Sequence, residues 1–159
     1  MKDTVMKKGN KGENDFGSSS ISTEEADPIE VYRNSVERIE FSIGGYGGDS
    51  YLVSVEKTDQ GAHIHVQRWE YGHRECEPTD DFDITRKRWE NLVEKLYEKI
   101  RIHEWKRRYK DPDILDGTQW SLMVFMKDER EACISGSNSY PPNFNELLRA
   151  FRAFAKDIH

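Results

Sequence analysis

The chain has 159 residues, of which 35% are hydrophobic, 34% charged and 11% aromatic, with a formal net charge of −6; this suits one domain with an aromatic-rich core. The acidic balance argues against general attraction to nucleic acid or an anionic membrane and favours a basic protein partner. No apolar stretch approaches membrane-spanning length, Lys2, Lys7, Lys8 and Lys11 precede no signal-like apolar run, and Cys76 and Cys133 make no Cys-x-x-Cys pair, so a cytoplasmic protein with reduced thiols and no cofactor is expected.

Met1 to Asp27 is Lys, Gly, Asn, Ser and Glu with scattered apolar residues, too polar to offset the entropy of ordering. This predicts a disordered tail over 1–27 and a single domain over 28–159. Val36 to Ile43 sets Ile39, Phe41 and Ile43 against Arg38, Glu40 and Ser42, the alternation of a half-buried strand. Gly44-Gly45-Tyr46-Gly47-Gly48-Asp49 invites comparison with a phosphate cradle, but a cradle needs a helix N-terminus behind it, and Tyr51, Val53 and Val55 predict a strand there. The glycines therefore read as a hairpin loop. After a turn at Lys57 to Gly61, a third strand places Ala62, Ile64 and Val66 on one face and His63, His65 and Gln67 on the other. The two histidines have the spacing of a ligand pair, yet zinc needs three or four ligands and no further ones stand at a familiar spacing, so no metal site is expected.

Glu75, Glu77, Asp80, Asp81 and Asp83, with Pro78 among them, read as a solvated acidic loop, because catalytic carboxylates need burial or a partner and the run shows neither. Thr85 can cap the next helix, with Ile84 and Trp89 as a hydrophobic staple across the cap, and Trp89, Leu92, Val93, Leu96 and Ile100 continue an apolar stripe. Arg101 to Lys110 is basic and interleaved with Trp105 and Tyr109, the composition of a single-strand nucleic-acid groove. Ile102, Trp105 and Tyr109 also fall at helical spacing, which favours a short helical turn with its aromatics in the core, so a nucleic-acid partner is disfavoured.

Thr118, Trp120, Leu122, Val124 and Met126 alternate as the first strand of a hairpin, Lys127 to Arg130 is its turn, and Ala132 and Ile134 mark the return. Pro141 and Pro142 stiffen the corner that follows Gly136. Asn143 then stands as an N-cap with Glu146 three residues on, ahead of a stripe of Phe144, Leu147, Leu148, Phe151, Phe154 and Ile158. Asp116-Gly117-Thr118-Gln119-Trp120 and Gly136-Ser137-Asn138-Ser139-Tyr140-Pro141-Pro142-Asn143-Phe144, with Trp105 and Tyr109 upstream, resemble the C-terminal signature of a family of small uncharacterised bacterial proteins. The resemblance covers about the last third of the chain and implies a fold and a bacterial origin, with no activity or catalytic residue attached.

The element order β-β-β-α-β-β-α predicts an α+β domain, an antiparallel sheet of about five strands with two amphipathic helices on one face. Three function classes follow. A protein-binding or inhibitor module leads, with Asn138, Tyr140, Trp105 and Tyr109 as candidate binding residues, because a stiff corner loses little entropy on binding and tyrosine is enriched at interface hot spots; for the corner itself a structural role competes and is favoured, with Tyr140 folded over Trp120 or Trp105 and Asn138 bonding the corner's own backbone, since a stiff turn between a strand and a helix already needs these residue types. An enzyme built around His63 and His65 is the alternative, and a nucleic-acid binder using Arg101 to Lys110 is the third.

Overall fold

A computed structural model describes residues 28–45, 47–70, 77–114 and 117–155. It opens with helix α1 (Pro28–Ser35), followed by strands β1 (Val36–Gly45), β2 (Ser50–Lys57), β3 (Gly61–Trp69) and β4 (Glu77–Thr85). Helix α2 (Arg86–Glu94) runs on into a π turn at Lys95–Lys99, and a 3-10 turn at Ile102–Glu104 leads to the short strand β5 (Arg108–Lys110). Strands β6 (Thr118–Met126) and β7 (Glu131–Ser137) and helix α3 (Phe144–Arg152) complete the described elements.

The fold is α+β, with one mixed sheet of seven strands in the order β4-β3-β2-β1-β6-β7-β5, so that β1 lies at its centre. Every neighbouring pair is antiparallel except β5 with β7. The period-two alternation gives the sheet two unlike faces. Ile39, Phe41, Val53, Val55, Ile64, Leu122 and Val124 are fully buried on one of them, under helices α2 and α3. The Phe41 ring lies 4.9 Å from Phe151 and 6.3 Å from Phe144, which seats α3 on the central strand. Arg88, Asn91 and Leu92 of α2 share a groove with Arg149 and Ala150 of α3, where the two helices run side by side. Burial of two such apolar stripes against one sheet face is the main source of stability in a fold of this kind.

Local chemistry sets the ends of α2. Thr85 is extended, and its hydroxyl accepts the Arg88 N–H at 3.2 Å, closing one of the helix's open donors. Gly61 lies where β4 turns into α2, and a Cβ there would collide with the backbone of Ile84, Thr85 and Arg86. At the other end the Ile100 N–H reaches back to the Lys95 carbonyl at 2.9 Å, a widened turn that lets Leu96, Tyr97 and Ile100 all bury. Tyr97 then stacks on Tyr32 with ring centroids 3.9 Å apart and planes 6° from parallel.

Several expectations are corrected. The sheet has seven strands and the described residues three α-helices, where about five and two were expected. The acidic run expected as a loop is strand β4, paired with β3 from Gly61↔Thr85 to Arg68↔Glu77. Its alternation of Asp81 and Asp83 with Phe82 and Ile84 is the period-two pattern of an edge strand. The helical turn expected across Ile102, Trp105 and Tyr109 is a 3-10 turn followed by β5, which adds a parallel edge to β7. Asn143 does precede α3, but it sits in the left-handed region at φ 66° and its side chain caps nothing; Glu146 pairs with Arg149 instead of closing a capping box. The described residues from Tyr32 onward form one compact unit. The tail expected over 1–27, and Cys76 and Ile158, lie outside the described residues.

Candidate functional site

The corner between β7 and α3 is held by a clasp to the start of β6. The Asn138 N–H donates to the Thr118 carbonyl at 2.9 Å, and the Thr118 N–H donates back to Asn138 Oδ1 at 2.9 Å. Asn138 adopts φ 52°, a left-handed conformation that asparagine tolerates better than most residues. Gly117 makes the clasp fit, because a Cβ there would overlap the Asn138 amide. One step along, the Trp120 indole N–H donates to the Ser139 carbonyl at 3.0 Å, and Gly136 leaves the room that the indole needs. Thus the glycines of Asp-Gly-Thr and Gly-Ser-Asn are there for close approach, and the two halves of the motif are partners in one joint.

Trp120 is the hub of this joint. Its ring stands 6.1 Å from Trp105, 6.2 Å from Tyr109 and 4.8 Å from Phe144. Trp105 and Tyr109 are half-buried, and the Tyr109 hydroxyl accepts the Lys106 N–H at 2.9 Å. Asn138 spends its oxygen on Thr118, while its Nδ2 is buried with no partner among the described residues. Of the four candidate residues, Tyr140 is the one that keeps an open surface. Its ring rests on Phe144 at 4.9 Å and remains 45% exposed. Beside it runs a groove of about 600 Å³ whose lining includes Ile43, Thr118, Pro141, Leu148 and Arg149.

A second constellation lies on the sheet face away from the helices, at the β3–β4 edge. His63 holds Asp83 through Nδ1 at 2.7 Å and Asp81 through Nε2 at 2.6 Å, and His65 Nδ1 meets the other Asp81 oxygen at 2.8 Å. The Asp83 and Asp81 hydrogen bonds raise the His63 pKa above its ordinary 6.5, and the two histidines lower that of Asp81 below its ordinary 3.8. Reading the acidic run as a loop hid this ladder, since only strand register brings the aspartates level with the histidines. Ser54 stands opposite His65 across the β2–β3 pair, the residue set of a nucleophile triad. Among the described residues, however, no hydrogen bond joins Ser54 to His65, and no group of three or more histidines, cysteines or carboxylates has the geometry of a metal site. The ladder can take up and release a proton at an open surface.

In the basic segment, Arg101 is held by Glu104, while Lys106, Arg107, Arg108 and Lys110 are exposed. The rings that a stacked base would need are turned onto Trp120. No family model matches the chain, and no curated protein matches it.

Proposed function

We propose that this chain is a small protein-binding module of the inhibitor type, acting in a bacterial cytoplasm, with the β7–α3 corner as its docking point and Tyr140 as its anchor. The observation that carries this reading is an amphipathic ring, 45% exposed, on a corner whose backbone is pinned on both sides. Such a ring offers a large apolar face and a polar tip at little entropic cost, the combination that dominates binding energy at interfaces. The groove beside Tyr140 gives a partner side chain somewhere to go. The net charge of −6 favours a basic partner, because long-range attraction speeds encounter and is screened by salt.

Affinity capture from cell lysate with the full chain and with Tyr140→Ala tests the reading. A basic protein retained at low salt by the wild type and lost with Tyr140→Ala is expected. Capture that survives Tyr140→Ala, or an acidic partner indifferent to salt, contradicts it.

A further inference from the structure

We infer that the β5 edge of the sheet carries a binding site for a small phosphate monoester, whose phosphoryl group is held by Arg108, Lys110, Ser135 and Ser137. Strand register builds it. β5 pairs in parallel with β7, so Arg108 is level with Ser135 and Lys110 with Ser137, and alternation sets these four side chains on one side of the sheet while Tyr109 and Gly136 fall on the other. β6 adds Gln119, level with Ser137. A cavity of about 480 Å³ opens here, within the usual size range of small-ligand sites. Its lining includes Arg108, Lys110, Ile114, Gln119, Ser135 and Ser137 and contains no carboxylate.

Charge and hydrogen-bonding capacity select the ligand. Arg33, Arg101, Arg130 and Arg149 each have a carboxylate partner, whereas among the described residues no ion pair reaches Arg108 or Lys110. The next carboxylate along the chain, that of Asp111, closes its own turn by accepting the Asp113 N–H at 3.0 Å. Two uncompensated cations on one side of a strand, in a chain of net charge −6, are suited to an anion. The Ser137 hydroxyl accepts the Gln119 side-chain N–H at 2.7 Å, which leaves its own proton to donate into the cavity. Two cations and two hydroxyls match the near-dianionic charge and three acceptor oxygens of a phosphate monoester better than the single charge of a carboxylate. Ile114, 42% exposed on the cavity wall, offers an apolar surface to the carbon part of the ester. A stacked nucleobase has no place in this site, because Trp105 and Tyr109 are turned onto Trp120. The cavity shares no lining residue with the groove beside Tyr140, so its test is independent of partner capture there.

Isothermal titration calorimetry of the full chain with phenyl phosphate tests this. One site per chain is expected, with phenol silent, benzoate about tenfold weaker or worse, and inorganic phosphate weaker for want of the Ile114 contact. Arg108→Gln and Lys110→Gln should each weaken binding by about tenfold or more, and Ser137→Ala by less, with melting temperatures near that of the wild type. Phenyl phosphate that fails to bind at millimolar concentration overturns the proposal, as does binding that both glutamine variants leave intact, or benzoate that binds as tightly. Single-stranded RNA that binds at these cations without competition from phenyl phosphate assigns them to nucleic acid and also overturns it.

Discussion

Asn143 shows how one residue type can be right at a position for a reason other than the expected one. Its place before α3 and the glutamate three residues on suggest a capping box, but its backbone is left-handed at φ 66° and its side chain makes no cap bond. The stabilising feature is the conformation, which costs most L-residues about 1–2 kcal/mol. Asn143→Gly should therefore be nearly neutral, while Asn143→Ser and Asn143→Ala should each cost about 1 kcal/mol in chemical denaturation. A true side-chain cap would instead tolerate serine. Gly136 makes a sharper case. Gly136→Ala must drive a methyl into the Trp120 indole and towards the Ser139 carbonyl, and a loss of about 3 kcal/mol is expected, with the Trp120 fluorescence altered. The Gly-Ser-Asn and Asp-Gly-Thr strings were legible as a motif because glycine and asparagine stand out in a strand pattern. What joined them was not, since the Asn138–Thr118 clasp spans a hairpin whose register appears only in the fold.

At the scale of elements, β1 to β3, β6, β7 and the apolar stripes of α2 and α3 follow from period-two and helical alternation, which local sequence carries in full. Strands β4 and β5 were missed because their charge and shortness resemble loops; what makes them strands is pairing with β3 and β7, a tertiary effect. The histidine–aspartate ladder went unseen for the same reason. It carries a pH dependence whose sign can be worked out. His63 has a raised pKa in the fold, so its contribution is complete below the ordinary 6.5 and is lost as pH rises through the raised value. Asp81 has a lowered pKa, so its contribution is present above the ordinary 3.8 and is lost as pH falls through the lowered value. The β3–β4 edge should thus be held best between those two ordinary values. Amide-exchange protection factors along β4 should peak in that window and decline on both sides, and His63→Gln should abolish the alkaline decline. A flat profile would show that backbone pairing alone holds the edge.

At the scale of the whole molecule, an acidic sheet-and-helix domain carries a rigid aromatic corner at one end of the β6–β7 hairpin and a histidine–aspartate ladder at the β3–β4 edge of its sheet. The charge of −6 was readable from composition, but its arrangement on one face depended on strand order. Among the described residues no helix is long and apolar enough to cross a membrane. The enzyme reading gains the His63–Asp81–His65 ladder as a proton-exchanging group, but the ladder stands at an open surface without a hydrogen-bonded nucleophile among the described residues. The nucleic-acid reading retains four exposed cations, while Trp105 and Tyr109 are committed to Trp120.

The central claim is that the corner is held together by Trp120, Asn138 and the glycines, leaving the Tyr140 ring free for a partner. Chemical denaturation of Tyr140→Ala, on the protein used for capture, tests it most directly. A ring that is 45% exposed gives up only part of its apolar area on truncation, so a loss of about 1 kcal/mol is predicted. A loss of about 3 kcal/mol or more, the cost of removing a buried aromatic, would make Tyr140 part of the core and contradict the account.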